Sequence, residues 1–433
     1  MNESTSDLPE GFKMTELGPL PEEWEVVGLG EVVQKTIQVD PRRTPEWRFK
    51  YVDVSSVSND SLSIQSYKEY SGKDAPSRAR KQIAFGDVIF ATVRPYLKRI
   101  ALVPADLNGQ ICSTAFCVIR TKPEIADNYY VFLAVSDDRF VLRVSEYQRG
   151  SSYPAVTDSA VLRELIPLPP LPDQRAIAQV LRTVQRAKEA TERVIQATQE
   201  LKKSLMQHLF TYGPVPLAEA DRVPLKETEI GPIPEHWQLV RLGEVMQLRS
   251  EVVDPDKVSL LRYIGLEHIE PGYMRLKRWG QATEVRSAKA RFYPNDVLYG
   301  KLRPYLDKVV LAEFEGVCST DILVLKPLDG VSAKFIANLL HTLPVIEYAV
   351  STTTGVNHPR TSWGALRNLG IPLPPLPEQR EIARILQAVD QKIQAEEHRK
   401  QALEELFKTL LSHLMTGKIR VNHLIQENEE EIS

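Results

Sequence analysis

The sequence predicts an α+β protein in which two mixed α/β domains are joined by two long antiparallel helices resembling a coiled coil, with a pseudo-two-fold internal repeat. Six segments recur in the same order in both halves of the chain. Each half contains short β-rich runs, then a long stretch with helical periodicity. A length of 433 residues also favours two or three domains over a single core.

The repeat covers most of the chain. Its offset changes only from 213 to 205 residues, so one module of about 205 residues occurs twice. The matched pairs are KMTELGPLPEEWEVVGLGEVVQ at 13–34 with KETEIGPIPEHWQLVRLGEVMQ at 226–247, GDVIFATVRPYLKRIALV at 86–103 with NDVLYGKLRPYLDKVVLA at 295–312, ICSTAFCVIR with VCSTDILVLK, GSSYP with GVNHP, IPLPPLPDQR at 166–175 with IPLPPLPEQR at 371–380, and LKKSLMQHLFT at 201–211 with LFKTLLSHLMT at 406–416.

The first part of each module predicts a globular domain. DVIFATV and AFCVIR are typical of strands, and NYYVFLAVSDDRFVLRV is typical of helix. The predicted order is an acidic N-terminal segment at 1–23, a first globular domain at 24–170, a long helix at 171–213, a linker at 214–236, a second globular domain at 237–375, a second long helix at 376–420 and an acidic tail at 421–433. The N-terminal segment either packs beside the C-terminal helix or is disordered.

The second part of each module predicts a long amphipathic helix. After Pro172 the sequence contains no Gly or Pro until Gly213, and its apolar residues follow a three-four spacing. Neither helix can bury its stripe alone, so we expect antiparallel packing. Thr191 and Glu396 occupy matching seam positions, and this polar centre either fixes the register or is loosely packed. A helix of 38 residues would extend about 57 Å, roughly 17 base pairs of B-DNA.

The proline decapeptides predict junctions between domain and helix. Ile166 and Ile371 would end the last strand of each domain, because the following prolines lack an N–H for further pairing. Pro172 and Pro377 would then lie in the first helical turn, where a missing N–H has no cost.

Charge and composition exclude several classes of protein. The polar N-terminus and the lack of long apolar runs indicate a cytoplasmic protein without a membrane span. Three scattered cysteines do not form a disulfide framework or a metal site. The net charge is −3, but seven cations lie within 71–100 and nine within 271–310. Such patches permit a polyanion to bind at a defined face, although solvated surface is the alternative.

Two pairs of segments are candidate DNA contacts. In the RPYL segments the proline should hold the preceding arginine in an extended conformation. The arginine and lysine side chains suit contacts with guanine or phosphate, and the tyrosine suits stacking on a base. The alternative is a turn in which Arg94 pairs with Asp87 and Arg303 with Asp296. The loops at 148–157 and 352–361 suit close approach to bases, unless they are plain solvent loops. The predicted DNA-binding residues are Arg94, Tyr96, Lys98, Arg99, Gln148, Arg149, Ser151, Ser152, Tyr153, Arg303, Tyr305, Lys308, Thr353, Thr354, Asn357, His358 and Arg360.

Motifs for catalysis are missing from the sequence. It has no glycine-rich nucleotide loop, no Asn/Asp-Pro-Pro-aromatic motif and no HExxH, and DPDK at 254–257 lacks a partner acid at strand spacing. We therefore expect no catalytic residues, no metal and no cofactor in this chain.

The chain resembles the specificity subunit of type I restriction-modification systems over about residues 13–422. The motifs that carry this resemblance together are TEIGPIPEHW, RPYL, GSSxP, IPLPPLPxQR and HLMTGKIRV. The resemblance implies a non-catalytic subunit whose two domains each recognise half of a bipartite site in double-stranded DNA, with the helices setting the gap. It also implies assembly with two methyltransferase subunits and two restriction subunits. S-adenosylmethionine, ATP and Mg would be bound by those partners.

Two other functions remain as alternatives. PLPPLP is typical of ligands for SH3-like domains, although each copy lies between a predicted strand and a predicted helix. A self-contained DNA methyltransferase or nuclease would instead transfer methyl groups or cut DNA without a partner.

Overall fold

The computed structural model describes residues 8–150 and 154–421. Ser151, Ser152 and Tyr153, together with nearly all of the predicted acidic tail, lie outside the described residues. The chain divides into two compact units, Met1–Ala190 with Lys400–Ser433, and Thr191–Arg399. Each unit therefore takes one recognition domain and parts of both long helices.

The first unit contains two four-stranded sheets. β11-β10-β13-β4 is fully antiparallel, whereas β8-β5-β12-β9 contains the parallel pair β5/β12. The strands are β1 Phe12–Thr15, β2 Gly18–Pro21, β3 Glu25–Gly28, β4 Val33–Gln34, β5 Arg48–Val52, β6 Val57–Ser58, β7 Ser63–Ile64, β8 Lys68–Ser71, β9 Ala79–Gln82, β10 Val88–Ala91, β11 Ile100–Leu102, β12 Ile111–Ser113, β13 Phe116–Thr121 and β14 Leu165–Leu168. Its helices are α1 Asn128–Ser136, α2 Asp138–Glu146, α3 Asp158–Arg163 and the start of α4 Leu171–Tyr212.

The main core of the first unit joins the domain to both long helices. Phe90 and Tyr130 are fully buried beside Leu181 of α4, and Leu414 from the other end of the chain belongs to the same cluster. Leu20 also packs there, so the described part of the N-terminal segment lies beside the end of the C-terminal helix. A second, smaller core lies between the two sheets.

The second unit repeats this plan, with sheets β18-β26-β23-β24 and β19-β22-β25-β20-β21 and one parallel pair, β20/β25. The strands are β15 Leu225–Lys226, β16 Ile233–Pro234, β17 Gln238–Arg241, β18 Met246–Leu248, β19 Val252–Val253, β20 Arg262–Ile264, β21 Gly280–Gln281, β22 Lys289–Phe292, β23 Val297–Gly300, β24 Val309–Leu311, β25 Gly316–Cys318, β26 Ile322–Pro327 and β27 Gly370–Leu373. The helices are α5 Leu242–Val245, α6 Ala333–Leu339, α7 Leu343–Ser351, α8 Trp363–Leu366 and α9 Leu376–Leu414.

The two long helices run antiparallel within each unit. In the first unit, Ile177 near the start of α4 shares a core with Leu414 at the end of α9. In the second unit, Leu209 near the end of α4 shares a core with Ile382 near the start of α9. The predicted fold class is thus confirmed.

The polar centre of the helix pair is buried. Thr191 is 3% exposed and Glu396 is 7% exposed. Lys392 Nζ donates to Glu396 Oε1 at 2.5 Å, and this bond lowers the pKa of the Glu396 carboxyl below its usual value. Arg399 lies 3.9 Å from the other carboxylate oxygen, so cations on the same helix accompany the buried charge.

The junctions differ in one respect from the expected arrangement. Strands β14 and β27 do not end at Ile166 and Ile371, because Pro167 pairs with Val26 and Pro372 with Leu239. Both prolines belong to two-stranded sheets, where a residue without an N–H can lie on the free edge. The expectation that these prolines end the strands is therefore wrong.

Candidate nucleic-acid interface

The RPYL segments form the same strained turn in both domains. Pro95–Leu97 and Pro304–Leu306 are single 3-10 turns, and Arg94 (φ 51°, ψ 58°) and Arg303 (φ 51°, ψ 63°) precede them in the left-handed conformation. The expected extended conformation of these arginines is therefore wrong. A left-handed residue other than glycine costs on the order of 1–3 kcal/mol, so the surrounding contacts must hold it.

In each domain, a backbone hydrogen bond from the arginine to the loop at 148–157 or 352–361 provides this support. Arg94 N donates to Pro154 O, and Arg303 N donates to Pro359 O, each at 2.8 Å. Isolated β-bridges join Val93 to Ala155 in the first unit. We call residues 92–98 with the described parts of 149–155 the first candidate edge, and residues 301–307 with 354–360 the second candidate edge. The structure thus brings together, in each domain, two segments that are about 50 residues apart in sequence.

Both candidate edges present an exposed tyrosine. Tyr96 is 50% exposed and Tyr305 is 55% exposed. Arg303 and Arg149 are also exposed. Exposed aromatic rings beside guanidinium groups can stack on bases or donate hydrogen bonds to a nucleic acid.

Three predicted cations are held by their own domain. Lys98 Nζ donates to Asp138 Oδ1 at 2.8 Å. Arg99 Nη1 donates to the carbonyls of Val54 and Val57 at 3.2 and 2.5 Å, and Lys308 Nζ donates to Leu266 O at 2.6 Å. Arg99 therefore fastens the segment 54–57 next to the first candidate edge, and Lys308 fastens the turn after β20 next to the second.

The alternative pairing of the RPYL arginines is wrong. Asp87 accepts two hydrogen bonds from Arg120, at 2.8 and 2.7 Å. Asp296 accepts two from Arg249, at 2.8 and 3.0 Å. Both carboxylates are 2% exposed, so these pairs belong to the interior of the domain.

The hairpin residues have mixed positions. Gln148 Nε2 donates to Ser145 O at 2.6 Å and Thr353 Oγ1 donates to Val350 O at 2.8 Å, so both side chains close the ends of preceding helices. Thr354, Asn357 and His358 are exposed along the second hairpin. The predicted loop residues thus include side chains that close helix ends as well as exposed ones.

Arg360 of the second candidate edge forms an ion pair with Asp321, which lies between β25 and β26. Its Nε donates to Asp321 Oδ1 at 2.8 Å and its Nη2 to Asp321 Oδ2 at 3.3 Å. The hydrogen bonds from Arg360 lower the pKa of the Asp321 carboxyl, and the charges of Lys301 and His358 lower it further. Asp321 was missed in the sequence, because an acid is not typical of a DNA-binding surface.

The basic patches carry less free charge than the sequence suggests. In the first, Arg80 pairs with Asp40 at 3.2 Å and Lys81 pairs with Asp158. In the second, three cations pair with acids: Arg275 with Glu313, Lys277 with Glu270 and Glu397, and Arg291 with Glu251 and Glu315. Such pairing removes much of the expected positive field.

An aromatic cluster beside the five-stranded sheet of the second unit was also missed. The Arg262 guanidinium lies 4.1 Å from the ring centre of Trp279 and 4.6 Å from that of Phe314. Trp279 is 41% exposed. These residues come from three separate segments, so spacing in the sequence gives no signal for them.

The described residues give no indication of a resident metal or a reactive thiol. Within 8–150 and 154–421, no three His, Cys, Asp or Glu side chains group as a metal site. The three cysteines are buried, and burial raises the pKa of Cys117 and Cys318 to about 12. Their thiols therefore stay protonated and unreactive near neutral pH. None of the described helices combines the length and apolar character that a bilayer crossing requires.

Comparison with known proteins explains the duplication. The family model described as "Methylase_S: Type I restriction modification DNA specificity domain" matches residues 21–202 and again 234–405. The chain belongs to this family. The resemblance stated from the sequence motifs is thereby confirmed, and the two matches coincide with the two copies of the repeat.

Among the similar proteins, one matches nearly the whole chain and another about half of it. A putative type I restriction enzyme specificity subunit, MjaX, from Methanocaldococcus jannaschii is 23% identical over 95% of this chain and 97% of its own length. The EcoDI specificity subunit of Escherichia coli is 25% identical over 56% of this chain and 59% of its own length.

Solved structures share the fold. A chain from a study of complex assembly and conformational transition in the type I R-M system is 31% identical, covers 92% of this chain and 99% of its own length, and gives a TM-score of 0.57. The type I S subunit from M. genitalium also gives a TM-score of 0.57, at 16% identity over 90% of this chain and 96% of its own, and shows the fold alone.

Proposed function

We propose that this chain is the DNA-recognition subunit of a type I restriction-modification complex. Each recognition domain would bind one half of a bipartite site in double-stranded DNA through its candidate edge. The observation that carries the proposal is the repeated candidate edge. The left-handed arginine, the turn and the hairpin backbone occur in both domains, whereas the side chains of the hairpin differ between them. Two related surfaces with different side chains suit two different half-sites.

The long helices would set the gap between the half-sites. Each helix begins in the core of one unit and ends in the core of the other, so neither recognition domain is attached by a loose linker alone. A continuous helix is a suitable spacer, since its length is fixed by its residue count.

Exposed apolar side chains on the helices support docking of partner subunits. Val194, Leu201 and Leu406 are 40%, 53% and 44% exposed, whereas Leu181 and Leu209 of α4 and Ile382 and Leu386 of α9 are buried. Exposed apolar groups of this kind are typical of protein interfaces. We propose two methyltransferase subunits as the occupants, with two restriction subunits joining the complex.

The chemistry would belong to those partners. S-adenosylmethionine, ATP and Mg are assigned to them, and this chain is proposed to be non-catalytic. Two features of the described residues support this assignment: the paired loops of the candidate edges and the exposed apolar side chains of the long helices.

The adaptor alternative conflicts with the structure. A polyproline ligand must be exposed and free along its backbone, but Ile166 is fully buried and Pro167 lies in strand β14. The alternative of a self-contained methyltransferase or nuclease is addressed by experiment.

The decisive experiment compares the methylated motifs of a host with and without this gene. We expect deletion to remove one bipartite motif, because both half-sites depend on the same chain. Loss of a continuous motif, or no loss at all, would contradict the proposal. Methyl transfer to DNA by the purified chain without any partner would instead support the enzyme alternative.

A further inference from the structure

Arg360 of the second candidate edge pairs with Asp321, and both positions have a different residue in the first domain. Asp321 lies in the turn after β25, and Arg360 lies on the hairpin. Two nearly parallel hydrogen bonds, of 2.8 and 3.3 Å, fix the plane of the guanidinium against the carboxylate. The Arg360 side chain nevertheless stays 42% exposed, so it is held in place at the surface.

The same two positions in the first domain are both alanine. Lys301 N donates to Asp321 O at 2.9 Å, and the matching bond in the first domain runs from Thr92 N to Ala115 O at 2.8 Å. The position of Asp321 is therefore that of Ala115.

The hairpin positions match in the same way. Leu302 forms a β-bridge with Arg360, and the matching bridge joins Val93 to Ala155. The backbone is thus the same in both domains, while the acid and the arginine occur together in one copy and are replaced together in the other. Such joint replacement indicates that the two side chains act as a unit.

The pair leaves a defined set of hydrogen-bond donors. A guanidinium has five N–H groups. Two of these are used by Asp321, and Nη1 donates a longer bond of 3.3 Å to His358 O. Among the contacts of the described residues, two N–H groups therefore remain. Two donors on a fixed plane match the O6 and N7 acceptors of guanine in the major groove.

The charge of the pair favours a base over a phosphate. A phosphate contact depends on net positive charge, and Asp321 beside Arg360 cancels that charge and would repel a phosphate. The edge of a base is neutral, so a neutral pair can approach it without this repulsion.

We propose that Arg360, positioned by Asp321, contacts a guanine in the half-site of the second domain, and that the first domain makes no matching contact. This inference rests on the proposed function and names the base class recognised at one position. Asp321 is a positioning residue, because it acts through Arg360.

The test is motif mapping in a host that lacks the gene and carries the wild type, R360A, R360K, D321A or the D321A/R360A double variant. We expect the first half-site to be unchanged in every case. One guanine of the second half-site should accept other bases in each variant, with discrimination reduced about 5- to 150-fold. The double variant should lose no more than R360A, since both changes remove one contact.

The outcomes separate this inference from the proposed function. If the wild type modifies no bipartite motif, the proposed function fails. If the wild type does so and R360A still requires the same second half-site, the inference fails. A uniform loss at all sequences would indicate a phosphate contact and also overturn it. If R360A does not fold, R360K decides: it keeps the charge and loses the planar fork, so an unchanged guanine requirement overturns the proposal.

Discussion

Asp87 and Asp296 occupy the same position in the two recognition domains but bind arginines from different strands. Arg120 comes from β13, whereas Arg249 follows β18. Each aspartate also accepts a backbone N–H from its own turn, from Ala84 at 2.7 Å in the first domain and from Tyr293 at 2.8 Å in the second. The buried aspartate is therefore balanced in the two copies by arginines from different segments of the chain.

A similar exchange occurs beside the candidate edges. In the first domain, Lys98 of the edge donates to Asp138. In the second, the matching edge residue is the acid Asp307, which lies 2.7 Å from His341 Nδ1. The contact between the edge and the helix layer is kept, while the acid moves from the helix layer in the first domain to the edge in the second. Single residues thus diverge in pairs.

Substitution of Asp87 by alanine should destabilise the first unit by about 3–5 kcal/mol, because it leaves Arg120 and a turn N–H without their buried partner. Urea unfolding of the full chain measures this change. D106A is the matched control: its side chain is 64% exposed and lies 3.8 Å from Lys50, so we expect less than about 0.5 kcal/mol. Equal losses in the two variants would show that the buried pair has no special role.

Prediction from sequence at this scale was limited by contacts that are distant in the chain. RPYL and the hairpins were found because each occurs twice, and duplication marks position. The partners of Asp87, Asp296 and Arg360 lie 33, 47 and 39 residues away, and no local rule selects one arginine or acid among several. The left-handed arginines were missed because the steric effect of the following proline favours extended backbone.

A buried glutamine fastens each long helix to its domain. Gln174 is 1% exposed; its Oε1 accepts Asp127 N at 2.9 Å and its Nε2 donates to Pro169 O at 2.8 Å. Gln379 is 2% exposed and repeats both contacts, with Ser332 N and Pro374 O, each at 2.9 Å. Each amide therefore joins the first helical turn, the proline segment and the helix layer of the domain.

The acid before Gln379 has a second role besides its favourable place at a helix start. Glu378 accepts hydrogen bonds from Trp237 Nε1 at 2.9 Å and from His236 at 2.8 Å. Trp237 is buried, so this contact joins the segment at 236–237 to the first turn of α9.

Replacing Gln379 by alanine should cost about 2–3 kcal/mol in the free energy of unfolding, since it leaves Ser332 N and Pro374 O unsatisfied in a buried site. Gln387 offers a control on the same helix, because its amide oxygen accepts an exposed bond from Lys334 at 2.9 Å. Denaturant unfolding should show Q387A within about 0.5 kcal/mol of the wild type. A Q379A variant as stable as Q387A would contradict the fastening role.

At the scale of elements, periodicity predicted the helices well and strand ends poorly. NYYVFLAVSDDRFVLRV forms two helices, α1 and α2, because Asp137 caps the second through a bond from Arg139 N at 2.8 Å. Pro167 and Pro372 were expected to stop pairing, but each lies on an edge strand. Edge and central strands cannot be told apart without the topology.

For the molecule as a whole, the internal repeat predicted two domains and two helices, and the structure adds which ends meet. Each unit is completed by the start of one long helix and the end of the other. This arrangement follows from a sequence in which equivalent helices leave equivalent domains, but only the packed cores identify the residues. α9 contributes Leu414 to the first core and Ile382 and Leu386 to the second.

Removing seven residues from each long helix should shorten the gap in the recognised motif by about 3 base pairs, since each helix loses about 10.5 Å. Residues 183–189 and 398–404 are suitable, because their deletion spares Leu181 and Glu397. A deletion of seven keeps the apolar stripe nearly in phase. Motif mapping in the host measures the gap, and both half-sites should be unchanged.

A deletion in α4 alone is the control, since it removes the match between the two helices and should abolish modification. Altered half-site sequences in the double deletion, or an unchanged gap, would show that the helices do not set the spacing.

The division into units also fixes the order in which a nascent chain can complete them. The second unit is continuous from Thr191 to Arg399, whereas the first requires Leu414, Met415 and Val421 from the far end of the chain. During synthesis the ribosome therefore releases every residue of the second unit before the first can close its core. The first domain is synthesised earlier but completes its core only after Leu414, Met415 and Val421 have been made. A message truncated before the codon of Leu414 would therefore yield a chain in which the second domain is complete and the first lacks part of its core.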